Sequence, residues 1–98
     1  MKVGSEADFQ ATLVQLAKLS GWMVYHPYDS RRSEAGWPDL VLIKGKVIIF
    51  AELKVGKNKR SDAQVEWAQA ILGVEDVYYR LWYPEHQDEI EKILTEWG

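Results

Sequence analysis

The chain is 98 residues long, 47% hydrophobic and 28% charged, with no cysteine and a formal net charge of −3. That balance fits a single domain over 1–98 and excludes a disordered chain, a disulfide framework and a thiolate zinc site. The start MKVGSEADFQ has no apolar signal core, and the longest apolar stretch, VLIKGKVIIFA, is interrupted by two lysines and too short to span a bilayer; a cytoplasmic protein without a membrane segment is expected.

Taken in chain order, residues 5–20 are expected to form a helix. Ser5 supplies an N-cap with Asp8 three residues on, Phe9, Leu13 and Leu16 recur at helical spacing with Leu19 beside them, and Gly21 offers a left-handed stop. WMVYH (22–26) predicts a short strand ended by Pro27, and YDSRRSEAGWP (28–38) predicts a loop. DLVLIK and VIIFAELK predict two strands joined at Gly45-Lys46, a pair that suits a type II′ hairpin turn. That turn sets a register with Lys44 opposite Val47 and Asp39 opposite Glu52. Both faces of the hairpin are otherwise apolar, which predicts a mid-sheet position covered on both sides.

VGKNKRSD (55–62) predicts a basic loop, with Ser61 or Asp62 capping a helix over about 62–73 that Gly73 stops. VYYRLWY (77–83) predicts a strand, and its aromatics Tyr78, Tyr79, Trp82 and Tyr83 are expected in core and sheet edge or in a dimer contact. A last helix over about 85–96 buries Ile90, Ile93 and Leu94. The expected order is α-β-β-β-α-β-α, a mixed α/β sheet of about four strands flanked by helices.

Three charges stand out. Strand side chains alternate faces, so Asp39, Glu52 and Lys54 converge at one end of one sheet face. Carboxylates that close repel and raise one another's pKa, a cost that a divalent cation removes. Hard oxygen ligands suit Mg²⁺ or Mn²⁺, and a lysine beside them can orient an attacking water or stabilise developing charge, the layout of metal-assisted phosphodiester hydrolysis. A salt bridge at a sheet end is the plain alternative for the same three residues. Charge distribution points the same way as the cluster. Residues 31–60 hold eight basic residues against three acidic ones, whereas the remainder holds four against twelve. Ser30, Arg31, Arg32 and Ser33 precede the Asp39 strand, and Lys57, Lys59 and Arg60 follow the Glu52 strand. Both loops can therefore flank one site and contact phosphates without reading bases. Gln64 shares a helix side with Trp67 and is expected to face the site. His26 ends an apolar strand, where a structural role, a catalytic one and a contact with DNA or the site loop are all open.

The ordered set Glu6, Gly21-Trp22, His26, SRRS (30–33), Gly36-Trp37-Pro38-Asp39-Leu40, Ala51-Glu52-Leu53-Lys54 and the QxxW of Gln64 and Trp67 closely resembles the virus-type replication-repair nuclease (VRR-NUC) domain of the PD-(D/E)xK superfamily. It covers nearly the whole chain. Trp37 departs from the phenylalanine frequent there, a change that keeps a packing ring. The resemblance implies a restriction-endonuclease-like core. It implies a metal held by Asp39, Glu52 and the Leu53 carbonyl, with Glu6 contributing directly or through water, and catalytic roles for Asp39, Glu52, Lys54 and Gln64. Short phage and bacterial members imply a homodimer that resolves four-way (Holliday) junctions in DNA. A nuclease for linear duplex or single-stranded DNA is the alternative within the class, and a non-catalytic nucleic-acid-binding subunit is the alternative outside it.

Overall fold

The computed structural model describes residues 5–27 and 33–98. Helix α1 (Glu6–Leu19) leads into strand β1 (Met23–Tyr25). The hairpin of β2 (Leu40–Lys44) and β3 (Val47–Leu53) follows, then α2 (Asp62–Leu72), β4 (Tyr78–Trp82), a 3₁₀ turn at Pro84–His86 and α3 (Gln87–Glu96). The order is the expected one. The last helix starts later than 85 because Pro84, with its fixed φ and missing N–H, opens a tight turn first.

The four strands lie in the order β1-β2-β3-β4. β1–β2 and β2–β3 are antiparallel, whereas β3–β4 is parallel, with α2 as its crossover. Lys44 pairs with Val47 and Leu40 with Ala51, as the hairpin turn predicts. Gly45 has φ +59, the positive value a type II′ turn needs at its first central position.

Helices α1 and α3 cover one sheet face. Phe9, Leu13 and Ala17 from α1 and Ile90, Ile93 and Leu94 from α3 close over Leu40, Leu42, Ile49, Ala51, Leu53 and Trp82. Trp22 locks the layer at the sheet's flank, its indole N–H donating to the Leu94 carbonyl at 2.9 Å across buried space. The periodicity misplaced one end of α1: Leu19 is 80% exposed and Ala17 takes the core position, since the buried row Phe9, Leu13, Ala17 runs at a spacing of four and Leu19, two residues past Ala17, points about 200° away from it.

The opposite face is covered in part, not throughout as expected. Ala68 and Ile71 of α2 pack on Tyr79, Phe50 and Leu81, but the β1–β2 end stays open, with Met23 75%, Tyr25 59% and Ile43 42% exposed. One helix is too narrow to cover four strands. Gly73 ends α2 in a right-handed conformation, φ −80, and the left-handed step falls instead on Asp76 at φ 63. The aromatics of β4 do not form a surface row. Trp82 and Tyr79 are buried, Tyr78 lies 4.7 Å from Trp97, and the Tyr83 hydroxyl donates to the Asn58 carbonyl. Among the described residues no helix is long and apolar enough to cross a membrane.

Candidate active site

The site forms on the α2-covered face, where the β2–β3 ladder runs out. The last paired residues are Leu40 and Ala51. Beyond them the ladder is continued by a side chain: Asp39 Oδ2 accepts the Leu53 N–H at 2.7 Å. On its other side β3 stays bonded to β4, where the Lys54 N–H donates to the Trp82 carbonyl. The backbone on both sides of Glu52 is thereby fixed, and Asp39 is drawn up beside it.

Glu52 has no accessible surface. Its Oε1 accepts from Gln64 Nε2 at 3.0 Å. Its Oε2 is buried and, among the described residues, makes no hydrogen bond of ordinary geometry. Burial first, then a proton-sharing contact with Asp39 and that residue's negative charge, push the Glu52 carboxyl up from 4.5 to about 9, against the opposing Lys54 ammonium. Glu6, on the first turn of α1, is also raised: burial raises it most, Lys54 lowers it, and Asp39 raises it. Thus Asp39 and Lys54 act on both Glu52 and Glu6, and Glu6 acts on Glu52. Among the described residues no three acidic, histidine or cysteine side chains gather tightly enough to form a ready-made metal cluster. The centre is the Asp39–Glu52 pair, and Glu6 acts on it from outside. A buried carboxylate oxygen without a partner, beside a second carboxylate, is nevertheless a donor set suited to a hard cation.

The turn before Asp39 and the helix carrying Gln64 are packed as one unit. A Cβ on Gly36 would lie 2.4 Å from the Ala63 carbonyl oxygen, and Gly36 has φ +88, so glycine alone fits there. The Trp67 indole donates to the Ala35 carbonyl at 3.1 Å. Trp37 packs edge-on against both Trp67, at 5.2 Å, and Phe50, at 6.0 Å. Ser61 is the cap of α2, and it forms a reciprocal capping box with Gln64: the Gln64 N–H donates to Ser61 Oγ at 3.2 Å, and the Ser61 N–H donates to Gln64 Oε1 at 2.8 Å. Gln64 therefore faces the site as predicted, and the reason is the cap.

The remaining candidates separate. Ser33 lines a cavity of 320 Å³ together with Gln10, Trp37, Pro38, Asp39 and Gln64. Ser30, Arg31 and Arg32 lie outside the described residues. Lys57 and Lys59 are exposed, whereas Arg60 is half-buried, 5.9 Å above the Tyr79 ring. Burial raises the Tyr79 phenol, with Glu52 and Asp39 adding to the shift and Arg60 opposing it, so Arg60 belongs to the rim of the site. His26 is exposed and lines a 660 Å³ groove along α1 together with Glu6, Gln10 and Lys18. Sequence reasoning missed Gln10, which lines both spaces. Its signal was its position four residues after Glu6, one helical turn along the same face.

The raised Glu52 carboxyl has a consequence for stability. Folded protein holds a proton there that unfolded chain releases, so between pH 4.5 and about 9 stability falls as pH rises. In chelator, the melting temperature should decline across that window. Glu52→Gln should flatten the decline and melt at least ~4 °C above the native protein at pH about 8. Calorimetry across pH measures both, and an undiminished slope in the variant would assign the proton elsewhere.

A scan of protein-family models finds no match, and no curated protein matches either. Among solved structures, one described as a VRR_NUC domain superposes with a TM-score of 0.69 over 95% of this chain and 97% of its own, at 20% sequence identity. The chain has the fold of a VRR_NUC domain, the fold that its ordered motifs imply.

Proposed function

We propose that the protein is a divalent-metal-dependent DNA endonuclease of the PD-(D/E)xK type that hydrolyses phosphodiester bonds. The observation that carries this reading is the buried, unpartnered Glu52 Oε2 beside Asp39, with Lys54 two residues along the same strand face. A structural ion pair leaves no such oxygen bare, and a pure binding module has no need of two adjoining acids. In this reading Asp39, Glu52 and the Leu53 carbonyl hold Mg²⁺ or Mn²⁺, with Glu6 acting directly or through water. The cation when bound supplies a Lewis acid for the phosphoryl oxygen and a more acidic water. Lys54 holds the attacking water and the developing phosphate charge. Gln64 keeps Glu52 in place. Lys57, Lys59 and Arg60, with Ser30, Arg31, Arg32 and Ser33 on the other loop, grip flanking phosphates.

The finer reading is a homodimer that cuts four-way junctions, since a two-fold pair of sites meets opposed strands of a branched substrate. The open β1–β2 end of the sheet favours a second copy as its cover. Met23, Tyr25 and Ile43 are apolar and exposed, and β1 is an edge strand without the charges that usually protect one. Two β1 strands meeting antiparallel about Val24 would set Met23 against the partner's Tyr25, a favourable sulfur–aromatic contact.

Cleavage of labelled four-way-junction, flap, duplex and single-stranded DNA, with Mn²⁺, Mg²⁺ or chelator, tests the activity. Metal-dependent cutting lost by at least ~10²-fold in Lys54→Ala is expected. Cutting linear DNA without junction preference would overturn the substrate, and binding without cutting would favour the non-catalytic module.

Replacing Lys57, Lys59 and Arg60 together by alanine should reduce the salt slope of DNA affinity by about two, because Arg60 is partly committed to Tyr79. An unchanged slope would remove this loop from the interface.

Light scattering should give twice the chain mass, reduced to one chain by Tyr25→Glu. A native monomer at high concentration would exclude the dimer.

A further inference from the structure

We infer that Ser61 is a positioning residue for the catalytic carboxylate, acting through Gln64. The inference deepens the metal-dependent reading and rests on it for what Glu52 does. A glutamine amide can present either end to a neighbour, and a free one samples many rotamers. Here both choices are settled by the start of α2. The Ser61 N–H occupies Gln64 Oε1 at 2.8 Å, and Ser61 Oγ accepts the Gln64 backbone N–H at 3.2 Å. With its oxygen taken, Gln64 can offer Glu52 only its NH₂ group, which reaches Oε1 at 3.0 Å. A flipped amide would set two acceptor oxygens against each other and two donors against each other.

The consequence is selective. Gln64 Nε2 ties down one carboxylate oxygen and leaves Oε2 buried with no donor beside it among the described residues. The helix cap thus determines which Glu52 oxygen is available to a cation and holds it still. Groups that orient a metal ligand typically carry 10–100-fold in affinity. Ser61 itself touches neither the cation nor DNA in this scheme.

The test is Mn²⁺ affinity of the full chain by calorimetry, without DNA, together with the Gln64 side-chain amide resonances of the metal-free protein. Ser61→Pro, which removes both the N–H and the capping hydroxyl at a φ of −70 that proline accepts, should weaken Mn²⁺ about tenfold and collapse the dispersed Gln64 NH₂ pair toward free-glutamine positions. Ser61→Thr, which keeps a capping hydroxyl, should restore both. Gln64→Ala should weaken binding at least as much, and the double variant should lose no more than Gln64→Ala, since both act along one path. Ile93→Val, a core change far from the site, should lower stability without moving Mn²⁺ affinity. A dispersed Gln64 pair in Ser61→Pro, or native Mn²⁺ affinity in that variant, would overturn the positioning role. Absence of Mn²⁺ binding by the native protein would instead overturn the metal-dependent reading, while the resonances would still decide whether Ser61 orients Gln64.

Discussion

Everything at this site depends on a carboxyl group placed where water cannot reach it. Glu52 lies in the central strand β3, with Ala51 and Leu53 as buried neighbours. Such a group costs several kcal/mol as a bare anion, so the fold must hold it by other means. It is tied by one hydrogen bond, opposed by one ammonium and neighboured by another acid. That arrangement is poor for stability and good for a cation. Natural folds keep such local conflicts chiefly where function requires them.

The conflict explains why the surrounding packing is so closely specified. Asp39 takes a backbone N–H that would otherwise lack a strand partner, which makes it part of the sheet as well as of the site. Gly36 allows α2 to approach until only backbone lies between them. Trp67 and Trp37 then fix the angle of that approach. Four residues that read in the sequence as two separate motifs, GWPD and QxxW, are one packing unit whose product is the placement of two acids and an amide.

The sequence was most legible where period and turn chemistry agree. The Gly45-Lys46 turn and the β-branched runs gave the hairpin register to the residue, and with it the meeting of Asp39, Glu52 and Lys54. Caps were legible for the same local reason, at Ser5 and Ser61. What failed was long-range. Whether Leu19 or Ala17 faces the core depends on the rotation at which α1 docks on the sheet, and whether the second face is covered depends on the breadth of a single helix. Tyr78, Tyr79, Trp82 and Tyr83 are all strong strand formers, and propensity alone does not say which pack inward. Gln64 was placed on the correct side, and its bonding to Ser61 follows the S-x-x-Q capping-box spacing, but its reach to Glu52 is a tertiary distance that no spacing rule contains.

Basic charge on this acidic chain is concentrated in residues 31–60, which hold eight of its twelve basic residues and include the two segments that bracket the pair. Lys57 and Lys59 stay solvated, whereas Arg60 gives up part of its freedom to stack on Tyr79, next to the carboxylates. In the proposed reading, a phosphate backbone approaching this face would meet the exposed lysines first and the stacked guanidinium last. Acidic residues elsewhere repel it from other orientations, so a weak overall attraction still favours one approach. The same acids make steering sensitive to salt, because their effect acts over distances comparable to the Debye length, ~8 Å at physiological ionic strength. Within the buried site screening is weak, so the positioning of Glu52 by Gln64 persists at salt concentrations that abolish steering.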